Sequence, residues 1–274
     1  MPTRVPARIV LDRYAARYAN YVLVLFVVAA AAACGSPSQP EGGGTAGSPA
    51  PAAPEPAAVS LPIGDSTITG LVKFEGQAPE ARVIRMSSDP LCMPEGPTTS
   101  EVVLVGPGNG LQNVFVYVKE GLGNRRFAAP TQPVVLDQRG CKYMPHVFGV
   151  QVGQPVNIIN SDGTLHNVHA VPKANAEFNF GQPSKGMQSA KTFNKPEIMV
   201  PFRCDVHGWM AAYAGVVEHP FFAVTSSDGK YEIKGLPAGT YTLEAWHERF
   251  GVQTQTVKVD DKGSATAAFA FKAS

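Results

Sequence analysis

Apolar positions along this chain fall into three regimes. The first is one block, Tyr21 to Ala33 (YVLVLFVVAAAAA), uninterrupted by charge. The second, residues 35–60 (GSPSQPEGGGTAGSPAPAAPEPAAVS), has almost no large apolar side chain. From Ser60 onward apolar residues come in short runs separated by Gly, Pro, Asn and Asp. These runs are ITGLVKFEG (68–76), EVVLV (101–105), NVFVYVKEG (113–121), PVVLD (133–137), VFGVQV (147–152), PVNIIN (155–160), HNVHAV (166–171), EIMVPF (197–202), GVVEH (215–219), FFAVTS (221–226), YEIKG (231–235), TYTLEAW (240–246) and TQTVKV (254–259). They are rich in Val, Ile, Thr, Phe and Tyr, and each predicts a strand. No long amphipathic helix is predicted. Residues 173–195, with Gly181, Pro183 and Gly186, are poorly patterned and predict a loop. Many short strands with turn signals imply an all-β fold of sandwiches or barrels; no solenoid repeat is present.

The apolar block reads as targeting. Arg4, Arg8, Arg13 and Arg17 precede it, and its length falls short of the ~20 residues of a membrane span, so it is read as a secretory segment. It ends in Ala31-Ala32-Ala33-Cys34-Gly35-Ser36. This resembles a bacterial lipoprotein signal, with Ala31 where that signal usually has Leu, and the resemblance implies lipidation of Cys34 within residues 1–34. Cleavage after a small residue, or an uncleaved anchor, are the alternatives, and all three place the protein outside the cytoplasm. Residues 35–60 cannot bury enough surface to offset their ordering entropy, and are expected to be a disordered tether from membrane to folded part. Lys and Arg number 23 against 22 Asp and Glu, so no bulk charge draws the chain to nucleic acid.

Downstream, Ser226-Ser227-Asp228-Gly229-Lys230 predicts a tight Asp-Gly turn. The stretch DGKYEIKGLPAGTYTLEAWHE resembles the carboxypeptidase regulatory-like domain, a transthyretin-like β-sandwich. The two strands usual in that family's first half appear far upstream, as Gly70 to Gly76 and Asn113 to Val118. One sandwich split into residues 61–129 and 220–274, with 130–219 inserted, is the expected organisation; tandem domains are the alternative.

Residues 201–219 (PFRCDVHGWMAAYAGVVEH) set Cys204, His207 and Met210 three apart. Thiolate, imidazole and thioether together suit copper best, with zinc the main metal rival. A second imidazole is expected from SDGTLHNVH, where His166 and His169 lie an odd number apart, so in a regular strand only one faces a metal. Spacing alone leaves the choice open. The segments PVNIINSDGTLHNVHAV and VPFRCDVHGWM resemble the cupredoxins, blue-copper proteins of amicyanin and plastocyanin type with a Greek-key sandwich. The resemblance covers about 90 residues. It implies one copper ion held by His166, Cys204 and His207, with Met210 as the long axial ligand. It makes Phe202 the aromatic on the cysteine's face and Asn167 the residue tying the two ligand loops together. Asp205 departs from the Ser or Thr usual after the cysteine. The family exposes an edge of the second histidine, so a rim of Gly208, Trp209 and Pro172 is expected around His207.

With Cys34 assigned to the anchor and Cys204 to the metal, Cys92 and Cys141 remain, and in an oxidising compartment they predict a disulfide. His146 reads as a hydrogen-bonded structural residue, His169 as facing away from the metal, and His219 and His247 as outside metal chemistry. Trp246 reads as core or cleft lining. Gly106-Pro107-Gly108-Asn109-Gly110 lacks the following helix and Lys of a phosphate loop and reads as a turn. Asn160-Ser161-Asp162 and Asp137 show no partner for acid–base work, so no enzyme is expected. The sequence therefore predicts an exported one-electron carrier that docks a redox partner protein, such as a cytochrome or dehydrogenase. A binding or adhesion module, and a copper storage or delivery protein, are the competing classes.

Overall fold

The structure is a computed structural model that describes residues 64–86, 88–93 and 98–273. The expected targeting segment, with Cys34, and the expected tether lie outside the described residues. Among those described, no helix is long and apolar enough to cross a membrane.

The fold is all-β, with four sheets of four or five strands and a two-stranded ribbon. Phe115–Glu120 (FVYVKE) shows why. Successive side chains of a strand point to opposite faces. Val116 and Val118 thus enter one core, while Phe115 and Tyr117 enter another.

Two sheets come from the ends of the described chain. Ser66–Glu75 pairs with Lys230–Leu236, Ser264–Thr266 and Phe269–Lys272. Phe115–Glu120 lies between Phe222–Val224 and Gly239–His247, and the latter pairs with Gly251–Val259. Ile68, Val72, Phe74, Val116, Val118, Ile233, Leu243 and Phe271 fill the space between them. The Asp-Gly turn forms as predicted. Ser226 N donates to Lys230 O, and Gly229 adopts φ +78°, which glycine tolerates without steric cost.

The other two sheets come from residues 134–217. One runs in the order Phe178–Gln182, His166–Ala170, Glu197–Arg203, Ala211–Val217, Val147–Gln151. The other runs Gln188–Thr192, Pro155–Asn160, Val134–Gln138, Tyr143–Met144. Their shared core holds Leu136, Tyr143, Phe148, Val156, Ile158, Val168, Phe193 and Phe202, and it also takes Met86 and Cys92 from the upstream segment. A third cluster joins the two sandwiches: Phe115, Tyr117, Val147, Met199 and Val217, with Tyr213, Phe222 and Trp246 packed against it.

Two expectations are corrected. Residues 173–195 are not a loop but contain the strands Phe178–Gln182 and Gln188–Thr192. Gln188–Thr192 is an edge strand with no buried residue, so its sequence carries little apolar signal. Residues 101–105 are not a strand; only an isolated bridge joins Val105 to Leu111. Val103 and Val105 instead pack on the first core as loop residues, which satisfies the burial their apolar character demands.

Candidate metal centre

The hairpin of Glu197–Arg203 and Ala211–Val217 closes at the pair Arg203–Ala211, leaving residues 204–210 as its loop. The loop is bonded to itself. Cys204 N donates to Met210 O (3.3 Å), Met210 N to His207 O (2.9 Å) and His207 N to the Cys204 sulfur (3.3 Å). The adjacent strand His166–Ala170 runs antiparallel with Arg203 opposite His169. Its first residue, His166, therefore emerges at the loop's end of the sheet. The amide of Asn167 also reaches Cys204 Sγ, at 3.4 Å. Two backbone N–H donors are thus aimed at one sulfur.

His166, Cys204 and His207 are all buried, and one ligand atom from each lies within 4.8 Å of the other two. The two Nδ1 atoms are 3.0 Å apart, and Cys204 Sγ is 3.9 Å from His207 Nδ1. Met210 is buried in the same core, and its backbone bonds to Cys204 and His207 hold it on the same loop. Phe202 packs beneath, against Phe148, Phe178 and Phe193.

The far side of each ring is held by a carboxylate. His166 Nε2 meets Asp162 Oδ2 at 2.9 Å, and His207 Nε2 meets Asp89 Oδ2 at 3.1 Å. An ionised carboxylate only accepts, so each Nε2 carries the proton and each Nδ1 presents a lone pair inward. Two lone pairs facing each other beside a thiolate repel unless a cation lies among them. The donor set thus fits a metal ion, and a sulfur with two imidazoles suits copper or zinc. Burial pushes the His166 pKa down, against the pull of Asp162. The Thr164 hydroxyl and the Leu91 amide hold the Asp89 carboxyl below the usual carboxylate range.

The expected exposed edge of His207 is corrected. The side chain is 2% exposed, because Asp89 and Cys92, brought in by the upstream segment, sit on Nε2; Cys92 Sγ is 3.6 Å away. Cys92 is bonded to Cys141, with Cα atoms 5.5 Å apart. Trp209 packs against the His207 ring, tilted at 38° with centroids 5.1 Å apart, and donates from Nε1 to Cys141 O. Gly208 is exposed. Pro172 does not join the rim: it follows the far end of the His166–Ala170 strand, ~20 Å along an extended chain from His166.

Asn167 bridges the two ligand segments, because its Oδ1 accepts from Asp205 N at 2.8 Å. The bridge uses the backbone of residue 205, so its side chain need not be Ser or Thr. The Asp205 carboxylate turns instead to Asn179 and to His169, which also bonds Glu177. His146 bonds Ala211 O and Glu248.

Asp162, which the sequence left without a partner, has one in His166 four residues on. Asp89, Thr164 and Tyr143 were also missed. Tyr143 OH donates to Asn167 O (2.6 Å) and lies 3.2 Å from Arg203 O, spanning the two ligand segments. The Asp-Pro pair before Cys92 was the one available signal for Asp89, since Asp commonly caps such a turn.

The profile of the carboxypeptidase regulatory-like domain matches residues 215–272. The strands Ser66–Glu75 and Phe115–Glu120, which pair with strands of that stretch, lie outside it. No curated protein matches the sequence. Among solved structures, a Cu-containing nitrite reductase from Thermus scotoductus SA-01 aligns at 22% identity and TM-score 0.31, over 34% of this chain and 24% of its own. The chain thus spans about a quarter of that enzyme's length. A Cu(I) amicyanin variant aligns at 27% identity and TM-score 0.28, over 31% of this chain and 81% of its own. An oxidised amicyanin variant aligns at 25% identity and TM-score 0.29, over 37% and 97%. The chain is therefore similar to the carboxypeptidase regulatory-like domain over residues 215–272 and, at low coverage, to copper proteins over about a third of its length.

Proposed function

We propose that this chain is an exported, lipid-anchored copper protein that carries single electrons, with one ion held by His166, Cys204, His207 and Met210. One observation carries the reading: two Nδ1 lone pairs and a thiolate converge, each imidazole locked in that tautomer by a carboxylate behind it. Copper bound there would supply reversible one-electron chemistry. The chain's part is to hold the donors fixed. Asn167 and Tyr143 tie the two ligand segments together, and the loop's own hydrogen bonds fix Cys204 against His207. None of the four residues is more than 2% exposed, which leaves a substrate no open side and favours a carrier over an enzyme. Trp209, packed against His207 and half-buried, is the aromatic through which a partner protein would approach.

Visible absorption and spin resonance of the Cu(II)-loaded protein test this. The carrier requires an intense thiolate-to-copper band, lost in Cys204→Ser, and a reversible voltammetric wave. A second reading, copper storage or delivery, draws support from the sealing of the His207 edge. It would show instead as a protein without that band that yields its copper readily to a chelator.

A further inference from the structure

We propose that Asp89 and Asp162 make the centre selective for a doubly charged ion over a singly charged one, Asp89 being supplied from outside the strands that carry the ligands. This rests on the metal reading above and deepens it.

Three formal negative charges surround the site: the Cys204 thiolate and the two carboxylates on the Nε2 protons. The sulfur is buried and the two carboxylates are mostly covered, so they are screened less than charges in open water. A dication leaves the assembly one charge short of neutrality, and a monocation leaves it two. A carboxylate accepting the far N–H also makes an imidazole a stronger donor, and the gain is larger toward the more highly charged ion.

Asp89 is fixed for this role. It caps the turn Pro90–Cys92, with Oδ1 accepting from Leu91 N at 2.9 Å. Its Oδ2 accepts from Thr164 Oγ1 at 2.7 Å and faces His207 Nε2. The Cys92–Cys141 bond pins the turn in place. Asp162 is held equally firmly, by the amides of Gly140 and Cys141, each at 2.8 Å.

The test compares Cu(II) and Cu(I) affinities of the full protein, by competition with a chelator chosen for each oxidation state. Asp89→Asn keeps a side-chain acceptor and removes the charge. It is expected to weaken Cu(II) binding at least tenfold and Cu(I) binding less than threefold. Asp162→Asn should act in the same direction, but its amide bonds make it the riskier variant, so Asp89→Asn decides. Glu177→Gln, which touches His169 and neither ligand ring, should leave both affinities unchanged. Equal weakening of the two ions by Asp89→Asn would mean the carboxylate only orients the ring, and would overturn the proposal. An unchanged ratio would do the same. Wild-type protein that binds neither ion would overturn the metal reading itself, a result distinct from either.

Discussion

The Nδ1 atoms of His166 and His207 face each other across 3.0 Å, each on a ring whose other nitrogen is engaged by a carboxylate. In the metal-free protein only a proton could relieve that contact, and burial disfavours it at His166. Filling the site should therefore stabilise the fold. An ion at a hundred times its Kd is expected to add about 2.7 kcal/mol. Thermal melts with Zn(II), which is redox-inert, against melts in chelator would read it directly. In His207→Ala the shift should vanish. A shift that survives there would place the ion elsewhere.

The Cys92–Cys141 bond has a second measurable consequence. It closes a sequence separation of 49 residues, which in the chain-entropy account corresponds to about 4 kcal/mol. A Cys92→Ser/Cys141→Ser protein should lose stability of that order in denaturant unfolding. It should also release Asp89 from His207, so metal exchange with a chelator should speed up. Unfolding that is much weaker with no change in exchange would show that the bond stabilises the sandwich and does not govern the cover over His207.

What could be read from the sequence, and what could not, divides along the same lines. Strands buried on at least one face, such as PVNIIN and TYTLEAW, announce themselves, because alternation is the imprint of a half-buried pleat. Gln188–Thr192 does not, since an edge strand facing solvent has no apolar face to display. Cys204, His207 and Met210 were legible because a hairpin loop keeps its residues near in sequence. Asp89 was not. It meets His207 across 118 positions, and nothing local records that a disulfide carries it there. The exposed edge expected at His207 fails for the same reason.

Acid should weaken the fold through histidines that are kept neutral. Burial pushes His247 down to about 4, and the ring stacks on Phe250 at 4.6 Å. Burial does the same to His219, also to about 4, although that residue is half-buried and counts for less. An unfolded histidine takes its proton near 6.5. Between those values the unfolded chain binds more protons, so stability is complete above pH ~6.5 and falls as pH drops toward 4. For His247 the loss is on the order of 2–3 kcal/mol. His146 opposes it: burial works against its proton, but Glu248 prevails and raises its pKa, so its contribution is lost as pH rises. His166 is pushed down as well, so three groups act against one, and the unfolding midpoint should fall between pH 7 and pH 4.5. His247→Phe keeps the ring stack and should flatten the slope; an unaltered slope would assign the effect to other groups.

Gly149 and Gly215 pair side by side on the sheet that carries His166 and Cys204, and they form the floor on which the other sandwich rests. A Cβ on Gly215 would come 2.4 Å from the Phe115 ring, and one on Gly149 would come 2.2 Å from Phe222. Phe115 is fully buried and packs against Tyr117 and Phe222, so it has nowhere to retreat. Gly215→Ala should therefore cost about 1–3 kcal/mol, the usual penalty of overpacking. Phe115→Ala should cost about 3–5 kcal/mol through the cavity it leaves. The two changes should not add: the new methyl group partly fills the space that the ring vacates, and the double variant should be more stable than the sum predicts. Gly215 lies ~13 Å along its strand from Ala211, where the metal loop ends, so the absorption of the copper-loaded protein should not change. Strict additivity would mean that the rings and glycines are not in contact. A changed spectrum would mean that the joint between the two sandwiches is felt at the candidate ligands.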